Sequence, residues 1–390
     1  MKLSKFSAFT AACCLIITGI FIFGCSDDDN PASPKEYGWE PLGTGMNNTV
    51  FSIAVYGNTL MAGGYFTTAG GVSANHIAAW NGSAWSTLGT GIGEVYSVMA
   101  HPGSSGRPIA GDTFISAGGV CANGINVEVL AVYGNSLIVA GTITEAGGVS
   151  VNNIASWNGS SWAPLSSGLI GSVADLVIYD GKLIAGGGFA TAGGVSVSNI
   201  AAWNGTSWAP LGSGINGYVY ALAVYDNQLI ATGTFTTAGG VSVNNIAAWD
   251  GSSWTPLGSG LNNTAFDFAI YDGKLIAGGQ FTTAGGVGAN RTAAWDGSSW
   301  TPLGPGLNSY VSTLAIYDAK LIAGGGFTTA GEAGADHIAA WNGSSWAPVG
   351  TGMDNNVRAL TVFDNKLIAA GSFTTAGDVS ANRIAAWGPK

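Results

Sequence analysis

The chain has 390 residues, of which only 9% are charged, with 12 cations against 22 acids. A net charge of −10 opposes binding to a polyanion, so nucleic acid and anionic lipid headgroups are excluded as expected partners. With so little charge the surface must be mostly Ser, Thr, Asn and Gly, a make-up closer to secreted repeat proteins than to cytosolic enzymes.

At the start of the chain, Lys2 and Lys5 precede an apolar run from about Phe6 to Phe23, the layout of a secretory signal. The run stops at Ile22-Phe23-Gly24-Cys25, which resembles the lipobox of bacterial lipoproteins, in which the Cys thiol takes the lipid. Residues 1–24 therefore read as a signal peptide and Cys25 as a lipidated N-terminus. An uncleaved anchor is the alternative, because 18 apolar residues approach the length that spans a bilayer. Ser26 and Asp27 to Asp29 resemble the acidic export signal that takes some Bacteroidota lipoproteins to the cell surface, with a plain acidic tether as the other reading. Residues 25–38 are acidic, bear prolines and have little to bury, so they are predicted to be a flexible linker with a reach on the order of 20 Å. The resemblance implies a bacterial envelope address, as an outer-membrane lipoprotein, possible surface exposure included. Cys13 and Cys14 would leave with the signal and Cys25 would be lipidated, so Cys121 alone remains and no intrachain disulfide can form. Loss of Lys2 and Lys5 leaves 10 cations against 22 acids, a mature charge of about −12.

From residue 39 onward the chain repeats. Its 14 tryptophans fall at the two ends of one recurring hairpin: Trp80, Trp157, Trp203, Trp249, Trp295, Trp341 and Trp387 before the turn, and Trp39, Trp85, Trp162, Trp208, Trp254, Trp300 and Trp346 after it. From Trp157 on, the period is 46 residues. In the unit 208–253, Tyr218 to Tyr225 alternates and is rich in β-branched and aromatic residues, which predicts a strand, and Asp226-Asn227 supplies the turn. Gln228 to Phe235 is a nearly continuous apolar run, predicted to be a buried strand in which Gly233 admits a neighbouring backbone. After the TTAGGVSV loop, Asn245 to Trp249 and Trp254 to Leu257 form a hairpin around Asp250-Gly251, and Pro256 suits an outer edge. No stretch has helical period.

Four strands in 46 residues, repeated in tandem, predict an all-β protein, a closed β-propeller occupying 39–390. The LIAGG run, the Trp pair around a turn and the PLG that follows resemble kelch-type blades and are similar to the propeller repeats of the cortical protein marker family. That resemblance implies the fold and leaves activity open. The chain enters at the last strand of a blade, near Trp39, and leaves at the third strand of another, near Trp387. Pairing of the two termini would complete the last blade and remove an exposed sheet edge. The interval from Trp85 to Trp162 is 77 residues, 15 short of two repeats. Degenerate copies of the first hairpin at Ser97 to Gly119 and Val129 to Gly148 raise its count to eight. The prediction is about eight four-stranded blades, one of them incomplete, with seven blades and an extruded hairpin as the alternative.

Function is sought where the copies differ, because a symmetric ring repeats its structural residues. His76, Asn153, Asn199, Asn245, Arg291, His337 and Arg383 share one register before the third strand, and form either a polar contact surface or a set of unconstrained solvent positions. Thr49, Glu94, Tyr218, Thr264, Tyr310 and Asn356 vary between the fourth and first strands, with Asp267 and Arg358 nearby. Tyr218 and Tyr310 can stack on sugars or pack across strands. No metal and no cofactor is expected: His76, His101 and His337 lie in different repeats, and the recurrent Asx at Asn75, Asn152, Asn244, Asn290, Asp336 and Asn382 are better read as turn caps than as calcium ligands. Asp175, Asp267, Glu145 and Glu332 are isolated carboxylates where a glycosidase needs a facing pair, and the chain lacks the Tyr and His copper set of galactose-oxidase-like kelch enzymes. The expected protein is a monomeric, non-enzymatic, lipid-anchored propeller that binds a protein or glycan at the cell surface. The alternatives are a structural envelope component without a ligand and, third, a carbohydrate-active enzyme built around His101, Arg107, Asp112 and Cys121.

Overall fold

Each copy folds as the alternation of its residues dictates. In the copy from Tyr218 to Pro256, four antiparallel strands run Tyr218–Tyr225, Gln228–Thr234, Ile246–Trp249 and Trp254–Pro256. Tyr225 pairs with Gln228 across the turn, where Asp226 and Asn227 adopt φ of 48° and 57°. Positive φ at both central residues is the twist a two-residue hairpin needs, and Asp and Asn tolerate it best after Gly. Gly233 sits where an added Cβ would lie 1.8 Å from the Tyr218 carbonyl oxygen, beside a bulge that shifts the register between Val219 and Ala221.

The computed structural model describes residues 36–74, 77–87, 126–146 and 149–390. Among them are seven blade sheets, six of four strands and one extended to five by Val195–Ser196, and no helix, with small two-stranded ribbons formed by the TTAGG-type loops. The seven innermost strands, Val50–Tyr56, Asn126–Tyr133, Leu169–Tyr179, Tyr218–Tyr225, Ala265–Tyr271, Val311–Tyr317 and Val357–Phe363, each neighbour the next, and the last neighbours the first. The protein is a seven-bladed propeller. The expected eighth blade has no place in the wall, because Val50–Tyr56 lies directly beside Asn126–Tyr133, and Met61 and Ile77 of the first blade pack with Leu137 and Val139 of the second. The count of eight treated 97–119 as an innermost hairpin; that segment lies outside the described residues, as do the signal, Cys25 and most of the linker.

The ring closes through its termini. Tyr37–Pro41 pairs with Ile384–Pro389 in the seventh blade, with Trp39 opposite Trp387 and ring centroids 5.2 Å apart. The other six Trp pairs have centroids 5.2 to 5.4 Å apart and tilted rings, and each pair adds about 0.5–1.5 kcal/mol beyond its area term.

The core is divided among the seams between blades. Phe66, Phe189, Phe235, Phe281, Phe327 and Phe373, which open the FTT-type loops, are all fully buried. In the LIAGG runs the first glycine makes room for the next blade: a Cβ on Gly324 would meet Val357 at 2.6 Å. The outer Trp of one blade bonds the blade before it, as when Trp208 Nε1 donates to the Leu165 carbonyl and Trp254 Nε1 to the Leu211 carbonyl, both at 3.2 Å. Trp162 Nε1, at the seam where 88–125 intervenes in sequence, is buried without a partner among the described residues.

Candidate binding surface at the mouth of the ring

The innermost strands all begin at one end of the ring, here called the mouth, where the second strands end. Five of the seven blades share one backbone frame at this end, while the third carries Ile170 in the Asn position. Asn216 Oδ1 accepts the N–H groups of Thr236 and Thr237 at 3.0 and 2.9 Å, and Asn262 and Asn308 do the same one and two blades on. These clamps fix the loops and account for the repeated Thr-Thr.

On that frame the side chains differ from blade to blade. Tyr218 and Tyr220 lie 4.7 Å apart, and Tyr220 meets Phe266 of the next blade edge-on at 5.9 Å. The Tyr218 hydroxyl bonds Ser172 at 3.2 Å. Gly188 and Gly326 admit tyrosine rings: a Cβ there would come within 2.7 Å of Tyr218 and 2.5 Å of Tyr310. On the far side of the mouth, Phe51 stacks edge to face on Tyr65 at 4.7 Å, and the Arg358 guanidinium sits 4.9 Å over the Phe51 ring. Arg358 Nε also donates to Ser372 Oγ at 3.2 Å, so cation, hydroxyl and ring are held together across the closing seam. Phe51, Tyr220, Phe266 and Arg358 occupy the bulge of their strands, the irregularity that turns a side chain out of the ladder.

The register read as a polar surface is placed at the same end. Its side chains turn inward to the backbone. Asn153, Asn199 and Asn245 adopt φ near 60° and donate their amides to the carbonyls of Leu169, Ile215 and Leu261 at 2.7, 2.8 and 2.7 Å. Arg291 and Arg383, at φ 70°, reach the carbonyls of Gln280 and Ser372. His337 Nδ1 lies 3.1 Å from the Gly325 carbonyl, which can only accept, so that nitrogen carries the proton. Asn suits this left-handed position, whereas Arg and His enter it at a cost of about 1 kcal/mol. Tyr218 stands with the aromatic group, and Tyr310 lies over Gly326. His76, Glu94, His101, Arg107, Asp112 and Cys121 lie outside the described residues.

The structure joins two residues that appear unrelated in sequence. Asp175 and Asp267 hold one register in the innermost strands of the third and fifth blades. Each bridges its own blade to the next: Asp175 accepts from Leu176 N at 2.8 Å and Leu222 N at 2.7 Å, and Asp267 from Phe268 N and Leu314 N, both at 2.7 Å. Burial raises Asp175 to about 7 and Asp267 to about 6, against 3.8 for a free side chain, partly offset by those N–H donors. Both retain some exposure along the axis, so water there tempers the effect. Aligning the innermost strands on their Tyr ends would have brought the pair together from sequence. Among the described residues no group of three or more His, Cys, Asp or Glu side chains is placed to hold a metal ion.

Comparison with known proteins supports the fold. Residues 272–293 and 364–385 match the beta-propeller family described as a domain of unknown function, DUF5122. None of the curated proteins compared with the chain matches it. The WD40 beta propeller domain of Doa1 superposes with a TM-score of 0.53 at 13% identity, covering 90% of this chain and 96% of that one. The extracellular domain of the hybrid two component system BT4673 from B. thetaiotaomicron superposes with a TM-score of 0.50 at 8% identity over 90% of this chain, which spans 39% of that one. At these identities the likeness is one of fold, and the chain is a β-propeller repeat protein.

Proposed function

We propose that the protein is a non-enzymatic binding module that presents the ring mouth to a protein or glycan partner outside the cytoplasm, tethered through a lipid on Cys25. One observation carries the reading: aromatic and cationic side chains that differ between copies collect at the mouth, on a backbone frame that five of the seven copies share. Aromatic rings with an Arg are the side chains that dominate recognition surfaces, because they offer large contact area and directed polar groups at low entropic cost. The net charge of −10 argues against nucleic acid, and a monomer suffices because the outermost strands are short and most end in proline, which blunts their edges.

The test is capture from envelope protein extracts and on a glycan array, with the intact chain and with Arg358→Ala and Tyr220→Ser. A partner retained by the intact chain and lost by both variants supports the proposal. No partner in either screen, or one indifferent to both changes, supports instead a structural envelope component, the reading favoured by the regularity of the opposite end. A palmitate label that survives Cys25→Ala would sink the tether.

A further inference from the structure

The seventh blade differs from the other six in being built from both ends of the chain. Its third strand, Ile384–Pro389, runs past Trp387 where other copies make an Asx-Gly turn, and its outermost strand brings Tyr37 to the position held by Ser83, Ser160, Thr206, Ser252, Ser298 and Ser344 elsewhere. One aromatic surface is added as a result, beside a Trp387 that is half-buried like Trp80 and Trp157. Tyr37 is 40% exposed and lies 6.2 Å from the Trp387 ring.

Beneath these rings, at the seam between the sixth and seventh blades, is a half-open cleft of about 160 Å³. Tyr37, Trp387 and Tyr317 wall it, with Ile322 and Leu367 at its floor. The Tyr317 hydroxyl donates to the Asn365 carbonyl at 3.3 Å, which fixes that wall. At the lip stand Asp318 and Lys320, their charged atoms 3.9 Å apart. A cavity of about 150 Å³ takes one benzene, so this cleft is sized for a single six-membered ring.

We propose that the cleft is a subsite for one neutral pyranose residue of a saccharide. A pyranose presents C–H groups on its faces and hydroxyls at its edge, and the cleft offers aromatic faces inside with one acceptor and one strong donor at the lip. An apolar side chain of the same size would cover Asp318 and Lys320 without replacing their water, which costs free energy. An anionic sugar would meet Asp318 in a chain of net charge −10. The cleft is a different place from the mouth, so the two proposals fail separately.

The experiment is saturation-transfer NMR on the full chain with methyl glycosides of glucose, galactose, mannose and N-acetylglucosamine, with benzyl alcohol as the apolar probe. At least one glycoside should bind in the millimolar range, in preference to benzyl alcohol, and lose about tenfold in affinity in Tyr37→Ser and in Lys320→Ala. Tyr37→Ser installs the residue the other blades carry, so folding should be retained, and an unchanged circular dichroism melt verifies it. Arg358→Ala, at the mouth, should leave this binding unchanged. Absence of glycoside binding, preference for benzyl alcohol, or binding indifferent to Tyr37 and Lys320 overturns the proposal.

Discussion

The two ends of the ring are made by the same strands and have opposite character. At the end away from the mouth, five of the turns between first and second strands place an Asp, at 180, 226, 272, 318 and 364, at φ of 48° to 50°. The hairpin turns repeat as closely: Asn204 Oδ1 accepts the N–H groups of Thr206 and Ser207, and Asp250 and Asp296 do so with the serines that follow them. Those donors hold the Asp250 and Asp296 carboxyls well below the usual range. Each position there answers a backbone demand, which is why the copies agree. At the mouth the backbone demand is met by the Asn and Thr clamps, and the bulge residues are released to vary. Stability is therefore expected to reside in the repeated framework and recognition in the variable mouth.

The largest effect that would sharpen this contrast is at the closing strand. Trp39 is 5% exposed, pairs with Trp387 and donates Nε1 to the Val349 carbonyl at 3.3 Å. Trp39→Ala should cost about 3–5 kcal/mol in urea unfolding, because it leaves a cavity and loosens the strand that closes the ring. A loss within experimental error would mean that the termini do not carry closure.

The axial aspartates make the framework pH-dependent. Asp175 at about 7 and Asp267 at about 6 hold protons in the folded chain that the unfolded chain, near 3.8, has released. Their contribution is complete below the unfolded value and is lost as pH rises through 6 to 7, so thermal stability should fall from pH 5 to pH 8. Asp175→Asn and Asp267→Asn should flatten that slope, each at the cost of one backbone hydrogen bond, because an amide offers a single acceptor. A melting temperature that does not fall over the same interval would show that the two groups ionise as freely as exposed carboxylates.

At the mouth the balance should reverse. The double change Arg358→Ala and Tyr220→Ser is expected to weaken partner capture by at least about tenfold and to shift unfolding by no more than about 1 kcal/mol. Loss of fold together with binding would show the aromatic group to be part of the framework.

Much of this division was legible in the sequence. The 46-residue period, the Trp pairs, the Asx turns and the closure by Trp39 all answer local rules, and the strands of the 208–256 unit fall within a residue or two of their expected limits. Blade number was left between the expected eight and the alternative seven, because which strands neighbour one another in space is not a local property. The register of Arg291, His337 and Arg383 was visible as variable, yet its direction follows from a positive φ and from carbonyls contributed by residues ten to twelve positions away. Phe51 and Arg358 are 307 positions apart in sequence and meet only because the ring closes.

The smallest effect tests how far repetition itself stabilises the ring. At the end away from the mouth, the last residue of an innermost strand bonds the turn of the next blade: Tyr56 to the Asn135 carbonyl, Tyr133 to Gly181, Tyr179 to Asn227, Tyr225 to Gly273 and Tyr317 to Asn365, all between 3.1 and 3.3 Å. The seventh blade ends in Phe363, which packs against the first blade without a hydroxyl to reach the matching carbonyl of Asn58. Phe363→Tyr should therefore add about 0.5–1 kcal/mol, and Tyr225→Phe should remove a similar amount. Differential scanning calorimetry of the two variants reads both signs. If Tyr225→Phe destabilises and Phe363→Tyr does not stabilise, the closing seam differs in geometry from the others, and the contrast between a uniform framework and a variable mouth fails first at the place where the chain's two ends meet.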